Sequence, residues 1–108
     1  MPNLQQQGKI QIEIIEQMFK KLNIDIENIS VITDPDALTV YLDVTGIDLR
    51  EDYDMVSICA TVYDENNSII GTSEEIIMMD EFLGFQTIEL FMMLNPKQVQ
   101  KVRLYPKI

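Results

Sequence analysis

From Asn23 onward, apolar side chains recur at every second position, the pattern of strands that bury one face in a core. The clearest run is LTVYLDVTG at 38–46, where every second residue from Leu38 to Val44 is aliphatic. Comparable runs follow at short intervals, with polar turns between them. This density of strands predicts a mainly β domain, an antiparallel immunoglobulin-like β-sandwich of six to seven strands over residues 23–108.

Local signals place individual strands and turns. Residues 53–64 are apolar on both faces, which is typical of a central strand. The sequence Asp-Pro-Asp-Ala at 34–37 predicts a turn, because Pro35 fixes φ at the second turn position. We expect an irregularity near Asn28 in the preceding strand, and we expect Pro106 to stop further pairing of the last strand.

The stretch SEEIIMMDEFLG at 73–84 fits two structures. Thr72 to Glu75 matches a capping box ahead of a short helix, whereas the run EEIIMM equally matches a strand. We favour a strand, or an irregular strand followed by a turn. The choice between strand and helix stays open for residues 73–82.

The segment before Asn23 carries a different pattern. Its large apolar side chains occupy one half of a helical wheel, and they are Ile10, Ile14, Ile15, Met18, Phe19 and Leu22. The opening KIQIEI also alternates as a strand does, but that alternation breaks at Ile15, and only Gln11 and Ile12 disagree with the helix. We therefore predict an N-terminal amphipathic helix over 9–22, after a flexible polar N-terminus at 1–8.

Size and charge limit the classes of function. A chain of 108 residues that is 46% apolar can form one hydrophobic core, so we expect a single domain over 9–108. Residues 22–96 carry a charge of −15, 1–21 carry +1 and 97–108 carry +4. Because phosphate contacts need a basic face, this field disfavours nucleic acid and anionic membranes, and it favours a basic protein partner or a divalent cation.

The sequence lacks the groups that most enzymes use. It has no histidine, which removes the commonest general base and metal ligand. Cys59 is the single cysteine and has no basic neighbour in sequence, which is typical of a packed structural thiol. We expect no enzymatic activity and no cofactor. No apolar stretch reaches the roughly 18–20 residues that span a bilayer, so we expect a cytoplasmic protein.

The middle of the chain resembles a known family. The segments ATVYD at 60–64 and IGT at 70–72, with the closing VRLYP at 102–106, resemble FxLYD domains, which are immunoglobulin-like bacterial modules. The resemblance extends over roughly residues 38–105. It implies an immunoglobulin-like fold and a non-catalytic module, and it transfers no active-site residues. The predicted N-terminal helix departs from the family pattern.

Acidic loops raise the alternative of a calcium-binding β-sandwich. If consecutive strands run up and down, the turn at 34–37 lies at the same end as Asp64 and Glu65, and the loop at 48–54 lies at the other end near 80–81. Converging loop carboxylates bind calcium in proteins, but the spacing of DLREDYD is not that of an EF-hand. Solvated acidic loops explain the same pattern.

Two apolar groups are candidate interface residues. They are Ile14, Met18 and Phe19 on the predicted helix, and Met78, Met79 and Phe82 within the ambiguous stretch 73–84. Each group fits the core as well as an interface.

Two hypotheses for function follow from the charge and from these apolar groups. The first is a non-catalytic protein–protein interaction module, a subunit or adaptor of a larger assembly, which binds a partner or a second copy of itself. The second is an acidic inhibitor or immunity-type protein that blocks a basic nucleic-acid-binding cleft. Binding through charge weakens steeply with salt and apolar docking does not, so salt dependence separates the two hypotheses.

Overall fold

The computed structural model describes the backbone of residues 3–7 and all atoms of residues 9–46 and 53–108. The elements are β1 (Asn3–Gln7), β2 (Ile10–Ile14), α1 (Glu16–Lys21), β3 (Ile24–Asp34), β4 (Ala37–Gly46), β5 (Met55–Tyr63), β6 (Ile69–Met78), β7 (Phe85–Met93), a 3-10 turn at Pro96–Gln98 and β8 (Lys101–Lys107). The protein is therefore mainly β, as predicted. Residues 23–108 contain six described strands, within the six to seven predicted for that range, and β1 and β2 are two further strands in the N-terminal segment.

The strands form two sheets that face each other in a sandwich-like arrangement. The five-stranded sheet has the order β1-β2-β8-β5-β6, and the three-stranded sheet has the order β3-β4-β7. All pairs are antiparallel except β2 with β8, which is parallel. Because β5 lies between β8 and β6, the prediction that its sequence belongs to a central strand is confirmed.

The core lies between the inner faces of the two sheets. On β4 the four alternating residues from Leu38 to Val44 are buried, as the sequence pattern predicts. They belong to one cluster with the inner residues of β5, which include Val56 and Ile58. Burying aliphatic side chains of this size contributes about 1.5–3 kcal/mol each, so this cluster is the main source of stability.

The predicted helix over 9–22 is wrong in its first half. Residues Ile10–Ile14 form β2, and only Glu16–Lys21 are helical. Strand β2 pairs with β8 in a register that joins Ile12 to Val102, which buries Ile12 completely. A six-residue helix is too short to be stable by itself, so packing of Phe19 against the core holds it in place.

The N-terminal segment also differs from the prediction. Residues 3–7, expected to be part of a flexible end, form β1 and pair with β2 in antiparallel register. The unpaired backbone N–H and C=O groups of an edge strand form hydrogen bonds with the preceding segment, even when that segment is polar.

Two local predictions are confirmed. The irregularity near Asn28 is confirmed, because the β3–β4 register shifts between Glu27 and Ser30 and Asn28 has φ 55°. The strand preferred for the ambiguous stretch 73–84 is confirmed as far as Met78, where β6 ends.

Pro106 does not end the last strand. It is buried within β8 and lies opposite Ile58 of β5. The carbonyl of Leu104 accepts a hydrogen bond from Ile15 on the β2 side of the strand. The backbone nitrogen of Pro106, two residues after Leu104, points to this same β2 side of the strand. At that level β2 has already ended. The missing N–H of Pro106 therefore removes no bond from the sheet.

Candidate protein-interaction surface

The structure separates the six candidate interface residues predicted from the sequence. Four of them lie in the core, and they are Ile14, Phe19, Met79 and Phe82. Met18 and Met78 are each 40% exposed, but they lie on different elements, α1 and β6. Because two of its three side chains point inward, the predicted helix face does not form a surface.

Another group of exposed apolar side chains lies on the outer face of the three-stranded sheet. Ile32 and Phe91 are each 50% exposed, and both are register partners of Thr39 on the central strand. Met93 is 80% exposed and pairs with Ala37, one row further along the face, at a spacing of about 7 Å. Ile32, Phe91 and Met93 are called the apolar cluster below. Its members lie on the two outer strands, β3 and β7, with Thr39 and Ala37 of β4 between them.

The sequence contained a signal for this cluster. Strand β7 reads FQTIELFMM, in which the even positions Ile88, Leu90 and Met92 are apolar and fill the core. The odd positions Phe91 and Met93 are apolar as well, so this strand is apolar on both faces near its end. A strand at the edge of a sheet that is apolar on its outer face indicates a covered or binding surface.

Beyond the cluster, this outer face carries mostly polar and acidic side chains, together with Tyr41 on its central strand and Phe85, which is 57% exposed, at its far end. Its exposed or partly exposed carboxylates are Asp25, Glu27, Asp34, Asp43 and Glu89. The three strands that form the face contain no lysine or arginine. The face therefore combines an apolar cluster with an uncompensated negative charge.

Asp43 lies on the central strand of this face and is held by two neighbours. Thr87 Oγ1 donates a hydrogen bond of 2.6 Å to one carboxylate oxygen, and Asn28 Nδ2 donates one of 2.8 Å to the other. The bond from Thr87, followed by that from Asn28, lowers the pKa of Asp43 from its ordinary value. The carboxylate is thus ionised and fixed in position.

The outer face of the five-stranded sheet has the opposite character, because its charges are paired within the chain. Glu13 forms ion pairs with Lys101, at 3.8 Å, and with Arg103. The bond from Arg103 to Glu13 raises the pKa of the guanidinium, which also lies over the ring of Tyr63, 5.1 Å from its centroid. Lys107 pairs with Glu74 at 3.3 Å. This face offers few unpaired charges to a partner.

A second exposed apolar group, also of three side chains, lies at one end of that face. Met55 is the register partner of Met78, and Ile76 is exposed beside them in the next row. Met78 was a predicted interface residue, and it lies here rather than with Met79. Lys107 is the register partner of Ser57, so this group borders a cation as well as the carboxylates of Asp54 and Glu74.

The acidic turns lie as predicted at one end of the sandwich. Asp34 and Asp64 both line clefts against the segment 96–100. In the described residues, no group of three or more carboxylate or cysteine side chains is arranged to hold a metal ion. The calcium hypothesis also involved 48–52, and that segment lies outside the described residues.

Cys59 is buried in the central strand β5, in agreement with the structural thiol predicted from the sequence. Burial, and next the charge of Glu74, raises the pKa of the thiol. At pH 8 it is therefore protonated as well as covered.

We expect alkylation of Cys59 by iodoacetamide at pH 8 to be at least about tenfold slower in the native protein than in denaturant, because the thiol is only 4% exposed beside Glu74 and its pKa is raised. Mass spectrometry of quenched samples measures both rates. Equal rates in the two conditions would contradict the buried position.

The sequence matches no protein-family model and no curated protein. Two solved structures of a glycosyl hydrolase family 2 member from Bacteroides cellulosilyticus are similar to part of the chain, at 11% identity and TM-scores of 0.41 and 0.42. The similarity covers 72% of this chain and only 14% and 13% of those chains. The FxLYD resemblance has no matching family model and stays a prediction. None of the described helices has the length and hydropathy needed to cross a membrane.

Proposed function

We propose that the protein is a non-catalytic protein–protein interaction module, a subunit or adaptor of a larger assembly. Its binding surface is the outer face of the three-stranded sheet. The observation that supports this most is the position of Ile32, Phe91 and Met93 in adjacent rows of one open sheet face. Contiguous exposed apolar surface on a small domain is typical of a binding site.

The composition of the cluster also favours binding over a role in solubility. Phenylalanine and methionine contribute large contact areas, and methionine adapts to irregular partners. A surface that only keeps a domain soluble has no need of three large apolar side chains in contact positions. The border of carboxylates around them matches the arrangement of interfaces, in which a polar rim surrounds an apolar centre.

Site-specific photocrosslinking tests the proposal. A photoreactive phenylalanine analogue replaces Phe91 in one variant and Thr72 in the other. Thr72 is exposed on β6 in the five-stranded sheet. In the cells that produce the protein, we expect a discrete crosslinked protein band at position 91 and none at 72. The absence of a band at 91, or the same bands at both positions, would contradict this surface.

The second candidate is the acidic inhibitor that blocks a basic cleft. The five carboxylates of the face, with no cation among its strands, favour it specifically. The two functions differ in the effect of salt on the captured complex. An inhibitor held mainly by charge dissociates as salt rises, whereas a complex held by Phe91 and Met93 keeps most of its affinity.

A further inference from the structure

The dimensions of the apolar and acidic face limit what fits on it. The face is three strands wide, about 10 Å between the axes of its outer strands, and an α-helix with its side chains is about 10–12 Å across. Five rows of outward residues run from the row of Asp25 to the row of Asp34, which spans about 27 Å. A single helix of about 18 residues covers that length.

The charges on the face determine the chemistry of such a helix. Glu27 and Asp43 are direct register partners on β3 and β4. Like charges in this position repel each other, and no lysine or arginine of these strands relieves the repulsion. A cation supplied by a partner removes it and also meets an Asp43 carboxylate that is already fixed by Thr87 and Asn28.

From these observations we infer that the face binds one basic amphipathic helix of a partner protein, an inference that rests on the proposed function. Its apolar residues pack on Ile32, Phe91 and Met93 at one end of the face and on Phe85 at the other. Its lysines or arginines lie four and eight residues further along, about 6 and 12 Å away, and reach Glu89 and then Asp43 with Glu27. A helix that is basic all along, or apolar all along, satisfies only half of this surface.

The chain's own charges argue against a second copy as the occupant. A symmetric dimer through this face would bring its five carboxylates against the same five of the partner. A head-to-tail contact would need free cations on the other face, but Lys101, Arg103 and Lys107 are paired with Glu13 and Glu74. The other described lysines, Lys9, Lys20, Lys21 and Lys97, lie on turns and on the six-residue helix α1, which is far shorter than the helix that covers this face. The occupant is therefore a different, basic protein.

A display library of random 18-residue peptides tests the inference, with the full chain as bait. Enriched peptides are measured against Phe91→Ser and against a matched control, Ile76→Ser, whose side chain is exposed to the same degree on the other sheet. We expect peptides with lysine or arginine four and eight residues from apolar anchors. We expect Phe91→Ser to weaken their binding at least about tenfold and Ile76→Ser to leave it unchanged.

Charge variants test the acidic half of the face. Glu27→Lys with Glu89→Lys changes the face, and Glu65→Lys with Glu81→Lys makes the same change in net charge on exposed turns. We expect the first pair to weaken binding on the order of tenfold or more and the second pair to have a much smaller effect. Melting temperatures of all variants identify any that fail to fold. Equal losses for the two pairs would overturn the inference, because the binding would then follow net charge alone.

The outcomes separate this inference from the proposed function. If the enriched peptides require Phe91 but are neutral or acidic, or have the alternating pattern of a strand, the inference of a basic helix is overturned. The proposed binding surface is then still supported. A concentration-dependent dimer that is lost in Phe91→Ser overturns the inference in favour of a second copy. A selection that yields no peptide dependent on Phe91 also overturns it, and the photocrosslinks at position 91 then decide independently whether the surface is used.

Discussion

Replacing Ile12 with alanine is expected to lower the free energy of unfolding by about 2–5 kcal/mol. Ile12 is fully buried on the inner face of β2, where it belongs to the core cluster between the two sheets. Its removal leaves a cavity in a region that strand pairing with β8 holds rigid. The loss therefore includes both the transfer energy of the missing methyl and methylene groups and the cost of the cavity.

The same substitution distinguishes the strand from the predicted helix. In a helix over 9–22, Ile12 would lie on the polar half, and alanine, the best helix former, would be neutral or slightly stabilising there. Equilibrium unfolding in urea, followed by far-ultraviolet circular dichroism, measures the difference. Gln11→Ala on the outer face of the same strand is the control, with an expected change within about 0.5 kcal/mol. If Ile12→Ala loses no more stability than Gln11→Ala, the result would support the helix over 9–22 and contradict the strand.

This contrast shows which part of the fold the sequence could predict. Strand β4 follows from alternation that is long and uninterrupted, so its inward face was predicted correctly. Strand β5 is apolar on both faces, and this predicted its central position. The alternation in β2 is only five residues long and runs into a real helical turn. The partner that decides in favour of the strand is β8, and the ion pair from Glu13 to Arg103 joins residues 90 positions apart. No local pattern carries that information.

The candidate surface was missed for a related reason. Alternation tells which side chains share a face, but it does not tell whether another layer covers that face. Leu90 and Phe91 are neighbours of similar hydrophobicity, yet Leu90 is buried and Phe91 is half exposed. The difference arises because the inner face of β7 packs on the five-stranded sheet, while none of the described elements covers its outer face. Whether another layer covers a sheet face depends on the tertiary structure, which the local sequence pattern does not contain.

Phe19→Ala is expected to be the most damaging of the changes considered, with a loss of about 3–5 kcal/mol. Phe19 is 3% exposed and lies with Ile14 and Ile24 around the short helix α1. This helix carries the chain from β2 in the five-stranded sheet to β3 in the three-stranded sheet. The aromatic ring therefore anchors the crossover as well as filling the core.

Met18→Ala is the matched control, because Met18 is the preceding residue of the same helix and is 40% exposed, against 3% for Phe19. We expect its free energy of unfolding to change by no more than about 0.5 kcal/mol. Guanidinium unfolding monitored by tyrosine fluorescence measures both variants. Similar losses for the two residues would mean that α1 contacts the core through a different face.

The pair also tests the link between fold and binding. If the partner docks on the outer face of the three-stranded sheet, Met18→Ala leaves its affinity unchanged. Phe19→Ala then lowers the binding signal only in proportion to the unfolded fraction, since a domain of this size has about 5–15 kcal/mol of stability and a loss of 3–5 kcal/mol uses much of it. An affinity loss for Met18→Ala, with stability unchanged, would instead place the partner on α1, and the acidic face would then be only the solvated side of the domain.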